Sequence, residues 1–251
     1  MDNNLIFLCT ACFFAAFVDS ISGGGGIISL PAYLLAGIPP HLALGTNKFT
    51  SCCSTFSSSI KFAQSKKVDF NILKYLIPFS FIGAILGATT VLSIKTSYLN
   101  TIVLILLLFV GLYSLFSKNV GIEDKFKDIS KKNITLGIIL ALFLGFYDGF
   151  LGAGVGTFLI FGLIKIYNFN FVRAGGNCKV MNFVGNIASI IVFAVRGEIN
   201  YKIGLPVAVF MIIGAHLGAK IALMKGSKII KPIFVTMSLA VAAKLLYSMV
   251  L

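Results

Sequence analysis

Apolar residues fill most of the chain in long runs that short polar stretches separate. A helix of about 20 apolar residues, rising 1.5 Å per residue, crosses a hydrocarbon core of roughly 30 Å. The runs predict ten helices, at residues 5–21, 27–38, 42–63, 70–93, 97–117, 134–151, 155–167, 176–195, 201–223 and 229–250. Segments 27–38 and 155–167 are too short to cross alone, and each follows a glycine-rich break.

Composition agrees with a membrane protein. The 251 residues are 58% hydrophobic and 12% charged, with a mean hydropathy of +0.98. These values predict an all-α integral membrane protein with about 8–10 transmembrane segments. The formal net charge of +13 would suit a nucleic-acid partner. However, the basic residues lie mostly in short connections between apolar runs, which is typical of membrane topology, so the expected partner is the lipid bilayer and not a nucleic acid.

The two halves of the chain repeat each other. FVDSISGGGGIISLP at 17–31 matches FYDGFLGAGVGTFLI at 146–160, which pairs Asp19 with Asp148, Gly23 with Gly152 and Gly25 with Gly154. Further along, LGTNK at 44–48 matches AGGNCK at 174–179, with the lysine displaced by one, and IGAILGA at 82–88 matches IGAHLGA at 213–219. The repeats predict one integrated domain built from halves 1–117 and 134–251, joined by a charged cytoplasmic linker at 118–133.

Charge predicts how the halves are oriented. Thirteen of the 21 Lys and Arg residues lie in 61–74, 118–132 and 220–231, whereas three lie in the turns at 93–97 and 196–202. The positive-inside rule assigns the first group to the cytoplasm, so the matching turns 61–74 and 196–202 fall on opposite sides. The repeats are therefore expected to be inverted. Ten passes with both termini outside is the preferred count, although a re-entrant short segment would change it.

The glycine breaks are the first candidate site. Non-helical backbone inside the hydrocarbon needs protein or a water-filled cavity to satisfy it, and inverted repeats with matching breaks point to a transporter's binding site. A helix that restarts after each break directs its free N–H groups and positive dipole end at the break, which favours an anion. The alternative is that the glycines only allow close helix packing. The candidates here are Gly23, Gly24, Gly25, Gly26, Gly152 and Gly154.

Charged residues within apolar segments are the second group of candidates. Lys48 and Lys179 are costly to bury, and each lies next to or near an amide, Asn47 or Asn177, that can donate to an anion. Snorkelling to the interface is the alternative. Asp19 and Asp148 lie just before the breaks. They are candidates for proton coupling, or each pairs with a nearby lysine.

The sequence favours no enzyme class. It contains no GxxxxGK[ST], HExxH or GxSxG motif, so neither a primary pump nor a membrane hydrolase is expected. The cysteines Cys9, Cys12, Cys52, Cys53 and Cys178 are odd in number and lie in apolar segments. They predict neither a disulfide framework nor a metal site, and no cofactor is expected.

At these residues the chain resembles the sulfite exporter TauE/SafE family, whose hallmark is a duplicated glycine-rich motif followed by an alanine-glycine-threonine-asparagine stretch. The first copy is residues 23–31 with 43–48, which brings Thr46 into the candidate site. The second is residues 152–156 with 174–177, which adds Gly176, but it lacks the proline and the full glycine run. The resemblance implies a bacterial inner-membrane permease for sulfite, sulfonates or related organosulfur anions.

Three functions therefore stay open at this point. The first is a secondary transporter that binds a small sulfur-containing anion between the breaks. The second is a membrane-embedded accessory subunit or enzyme that binds a sulfur compound, through Cys178 or the Cys52 and Cys53 pair. The third is a passive anion channel. A homodimer is possible in each case, and the sequence selects neither the exact anion nor the direction of transport.

Overall fold

The computed structural model describes residues 3–95, 123–126 and 128–226 of the chain. All regular secondary structure within these residues is helical, which confirms the all-α prediction. The predicted helices at 97–117 and 229–250 lie outside the described residues. The helices are α1 Asn3–Ser22, α2 Gly26–Leu35, α3 Pro40–Gln64, α4 Phe70–Ser93, α5 Lys131–Phe150, α6 Val155–Tyr167, α7 Phe171–Val195 and α8 Tyr201–Lys225.

Five of these helices, α1, α4, α5, α7 and α8, are long and apolar enough to cross a membrane. Helix α3 has 25 residues but is more polar, because serines and threonines recur along it. Helices α2 and α6 have 10 and 13 residues and are both short, as predicted, although α2 ends at Leu35 and not at residue 38. Together these helices make the chain a multi-pass membrane protein.

Two helices begin at least three residues earlier than the sequence predicts, and polar caps explain both differences. Helix α5 begins inside the predicted linker, because the Ser130 hydroxyl accepts a hydrogen bond from the Asn133 N–H. Helix α7 begins five residues before position 176, because the Asn170 side chain accepts from the Arg173 N–H. Gly175, expected to precede the helix, is therefore helical.

Small residues set the closest helix contacts. Gly83 and Gly87 of α4 lie against the backbone of α5, and a Cβ at either position would overlap that backbone. Gly214 and Gly218 of α8 lie in the same way against the backbone of α1, at Phe13 and Phe17. Close approach at small residues is the usual way in which membrane helices gain packing energy, because lipid offers no hydrophobic drive between them.

Corresponding helices of the two halves make corresponding contacts. Helix α4 packs on α5 as α8 packs on α1, and α3 packs on α8 as α7 packs on α4. Helices α3 and α7, which correspond to each other, are in contact at the centre, where Asn186 donates to the Thr55 hydroxyl. The halves are thus interleaved and share one interface. The inverted orientation of the two repeats stays a prediction.

Candidate functional site

The two glycine breaks meet at the centre of the bundle. Gly23 lies between α1 and α2 and touches the backbone of Gly156, at the start of α6, so closely that a Cβ on Gly23 would lie 2.5 Å from the Gly156 carbonyl carbon. The Thr157 hydroxyl donates to the Gly23 carbonyl at 3.0 Å. Gly23 also has a φ of +82°, and Gly152 has a φ of +78°. Only glycine adopts such angles without strain, so the breaks need the residue that they contain.

The N-terminus of α2 holds a carboxylate of the chain itself. The Gly25 N–H donates to Asp19 Oδ1 at 3.1 Å, which places the aspartate of α1 at the positive end of the next helix. A negative group is stabilised at this end of a helix by the free N–H groups and the aligned peptide dipoles. Asp19 therefore occupies the anion-binding position that was expected at the N-terminus of α2.

Two buried ion pairs connect the halves crosswise. Lys48 of α3 donates to Asp148 of α5 at 2.6 Å, and Lys179 of α7 donates to Asp19 of α1 at 2.6 Å. Each lysine thus pairs with the aspartate of the other half. The Lys48 and Asp148 side chains are 3% and 7% exposed, and the Lys179 side chain is fully covered. Both lysines therefore pair with a buried aspartate, and neither extends to the membrane interface.

Such pairs are costly to break. The effective penalty for taking an ion out of water is several kcal/mol, and the partner charge offsets it only while the pair is intact. Removal of one partner leaves an uncompensated buried charge. The crossed pairs therefore tie the packing of the two halves to the state of four ionisable groups.

A small cavity lies between the breaks and the crossed pairs. Its lining includes Gly23, Gly25, Gly26, Gly152, Gly154, Asn47, Lys48, Asp19 and Asp148, all predicted as site residues. The cavity has a volume of about 40 Å³, counted as the space that the centre of a water molecule can occupy. One water needs about 10–15 Å³ on this scale, so the cavity has room for an occupant of a few heavy atoms.

Three unpartnered polar atoms belong to residues that line this cavity. Ser29 Oγ, Asn47 Oδ1 and Asn182 Oδ1 are buried without a hydrogen-bond partner, and all three residues line the cavity. The side chain of Ser59 is the fourth such group in the part of the chain that the structure describes, and it lies elsewhere. An unsatisfied buried polar group costs about 1–3 kcal/mol. A polar occupant of the cavity would remove that cost at three residues together.

Several lining residues were not predicted. Ser29, Ser51, Ser54, Thr55, Asn182 and Asn186 line the cavity beside the predicted ones. The missed signal is a spacing of three and four residues along two helices, Lys48, Ser51 and Thr55 on α3 and Lys179, Asn182 and Asn186 on α7. Such a spacing puts the side chains of each set on one helix face. Polar residues on one face of a transmembrane helix indicate a polar interior surface.

Other predicted residues lie outside the cavity lining. The Thr46 hydroxyl accepts from the Asn200 N–H, and Asn177 Oδ1 accepts from the Asp69 N–H, both at 2.9 Å. Gly176 lies against the Lys67 backbone, and Gly24 is outside the lining as well. Lys179 reaches the site only through Asp19. That these residues bind substrate stays a prediction, and their positions outside the cavity lining do not support it.

The contacts also correct the alignment of the second motif. Asn200 and Asp69 correspond in the repeat, and they bond to Thr46 and Asn177 respectively. Thr46 therefore corresponds to Asn177, and Lys48 corresponds to Lys179 without displacement. The sequence-based alignment of Asn47 on Asn177 was wrong. It matched two asparagines, whereas the residue that makes the same contact as Asn177 is Thr46.

The cysteines do not gather at the cavity. Cys178 is fully buried, and its thiol donates to the Gly156 carbonyl at 3.4 Å. Cys52 and Cys53 are half-buried neighbours on α3. Over residues 3–95, 123–126 and 128–226, no group of three or more His, Cys, Asp or Glu side chains is placed to hold a metal ion.

Apolar helices around a buried polar cavity define the chain as a multi-pass membrane protein with an internal polar cavity. The chain belongs to the sulfite exporter TauE/SafE family, whose model matches residues 8–245. Members of this family are membrane transporters, and the names of the relatives also indicate transporters rather than enzymes.

Full-length relatives carry the same general description. A probable membrane transporter protein of Haemophilus influenzae is 37% identical over 94% of this chain and 91% of its own length. Another from Sinorhizobium is 36% identical over 96% and 92%. The probable membrane transporter protein YfcA of Escherichia coli K12 is 34% identical over 93% and 86%. No solved structure matches the chain.

Proposed function

We propose that this protein moves a small sulfur-containing anion, such as sulfite or an organosulfonate, across the bacterial inner membrane as a secondary transporter. The anion occupies the cavity between the two glycine breaks. Its oxygens accept from the amides of Asn47 and Asn182 and from the Ser29 hydroxyl, and Lys48 supplies positive charge. The sulfur chemistry of the substrate comes from the family description, and the small polar cavity supports it.

One observation carries the proposal. Three of the four unpartnered buried polar side-chain atoms in the described residues belong to residues that line one small cavity. An amide group can turn so that its NH2 group rather than its oxygen lies toward the ligand. In that orientation Asn47 and Asn182, like the Ser29 hydroxyl, can each donate to a bound oxyanion, whereas in the empty cavity each of these residues keeps an unpartnered polar atom. Buried polar groups without partners are retained in a fold when a bound ligand supplies their hydrogen bonds.

Alternating access follows from the way in which the halves meet. The cavity lies where elements of both halves converge, and the halves contact through α1 with α8, α4 with α5 and α3 with α7. Rocking of one half against the other exposes a central site to each side in turn. Glycines at the breaks let the backbones slide past each other without side-chain overlap.

The first test is flux into liposomes that contain the purified protein. Sulfite, thiosulfate, methanesulfonate, sulfate and acetate are offered singly at equal concentration, each with a radioactive label. We expect saturable uptake of at least one sulfur anion and little uptake of acetate. Uptake of none of them by well-folded protein would contradict the proposal. Conductance far above transporter turnover would instead indicate a channel.

A matched pair of serine variants tests the position of the site. Ser29→Ala removes a cavity hydroxyl, and Ser59→Ala removes an equally unpartnered buried hydroxyl outside the cavity. A hydrogen bond to a charged group contributes about 1.5–3 kcal/mol, which is roughly a tenfold to hundredfold change in affinity. We expect Ser29→Ala to raise KM by about tenfold or more and Ser59→Ala to leave it unchanged. Equal effects would place the substrate elsewhere.

A further inference from the structure

The two crossed ion pairs occupy corresponding places but differ in access to the cavity. Lys48 and Asp148 both line it, whereas Lys179 does not and its side chain is fully covered. Asp19 is held by two donors, Lys179 on Oδ2 and the Gly25 N–H on Oδ1. Asp148 accepts from Lys48 through Oδ1 alone. The Lys48 pair is therefore the one that a ligand in the cavity can open.

Charge balance makes the arrival of an anion costly. Lys48, Lys179, Asp19 and Asp148 sum to zero, and Lys48 is the one cation in the cavity lining formed by the described residues. An anion added to this site would leave one buried negative charge uncompensated, at a cost of several kcal/mol. Lys48 carries one positive charge, so it cannot neutralise both the anion and the Asp148 carboxylate. The loaded site needs one more positive charge.

We propose that the anion binds together with one proton, which Asp148 carries. This inference rests on the proposed transport function. The anion replaces Asp148 as the acceptor at Lys48 Nζ, and the Asp148 carboxylate takes a proton from water on the side of entry. The loaded site keeps its charge balance and can change its access. On the other side the anion leaves, Asp148 returns its proton to water and pairs again with Lys48.

The surroundings of Asp148 suit this exchange. One carboxylate oxygen, Oδ2, lies against Gly185 of α7, where a Cβ would overlap it. Two unpartnered amide oxygens, of Asn47 and Asn182, line the same cavity and can accept from a protonated carboxyl. The titratable groups that act on Asp148 or share its environment are Lys48 from α3, Asp19 from α1, Tyr147 from α5, and Cys178 and Lys179 from α7.

The test compares driven transport with exchange in Asp148→Asn and the wild type. Labelled methanesulfonate is the main probe, because this strong-acid anion carries no proton of its own near neutral pH, and sulfite is the second. One proton per monovalent anion predicts accumulation by the wild type of about tenfold per unit of pH difference. Asparagine imitates the protonated carboxyl. We therefore expect Asp148→Asn to exchange anion for anion yet accumulate none in response to a pH gradient.

Proton movement by the wild-type protein is measured as well, so that the test does not depend on the folding of Asp148→Asn. A pH-sensitive dye inside the liposomes reports proton movement when methanesulfonate or sulfite is added outside. We expect one proton to accompany each methanesulfonate ion. Anion movement without protons, or gradient-driven accumulation by Asp148→Asn at the wild-type level, would overturn the inference and leave the proposed transport function intact. If the wild type moves neither of these probes nor any other sulfur anion offered, both the inference and the proposed transport function are overturned.

Discussion

The crossed ion pairs predict a definite pattern in a double-mutant cycle. Lys48→Leu leaves the Asp148 carboxylate buried without its cation, and Asp148→Leu leaves the ammonium group of Lys48 without its anion. The Lys48 and Asp148 side chains are only 3% and 7% exposed, so solvent screens neither charge. Breaking such a pair costs about 3–5 kcal/mol, whereas replacing both partners by apolar side chains is close to neutral. Each single variant should therefore be less stable than the double variant.

Thermal unfolding in detergent measures these differences. For a chain of this size, 1 kcal/mol corresponds to about 2–4 °C in Tm, so each single variant should lose about 6–20 °C. The double Leu variant should recover most of that loss, and the cycle of Lys179 and Asp19 should give the same sign of coupling. Additive losses, with the double variant the least stable of the three, would refute the reasoning that the two charges are held in a buried pair.

Three other variants and one control, Gly24→Ala, test separate features of the protein. Gly23→Ala should sharply reduce the folded yield, because φ is +82° and the new Cβ would lie 2.5 Å from the Gly156 backbone, whereas Gly24→Ala, whose nearest neighbour is at 3.8 Å, should fold normally. Cys178→Ser should keep sulfite flux, and selective loss of flux would favour sulfur chemistry at this thiol. Asn200→Ala should cost about 1 kcal/mol in thermal unfolding, because its side chain caps α8 at the Ile203 N–H.

Hydrophobic pattern was sufficient to predict the helices that the structure describes. The runs at 70–93 and 155–167 have the same bounds in the structure, because charged turns and glycines limit them sharply. The start of α7 was placed five residues late, because the prediction used neither the cap at Asn170 nor the tertiary packing of this segment. Gly176 lies so close to the Lys67 backbone that no larger residue fits there. Local propensity cannot reveal that contact.

The lining of the cavity was predicted in part. Glycine breaks and buried lysines are visible in the sequence, because both are costly in a membrane and so indicate a special environment. Which aspartate pairs with which lysine depends on contacts between residues 100 and 160 positions apart. The roles of Ser29 and Asn182 were missed for a similar reason. Their lack of partners becomes apparent only when the surrounding helices are in place.

The central claim is that the cavity between the breaks holds the transported anion. The most direct measurement is initial flux of labelled sulfite into liposomes that contain the wild type, Asn47→Leu or Asn182→Leu at equal folded protein. Leucine has nearly the shape of asparagine but offers no hydrogen bond, so the variants remove chemistry rather than volume. The account predicts at least about a tenfold loss of flux in each variant. Wild-type flux in both variants would contradict it.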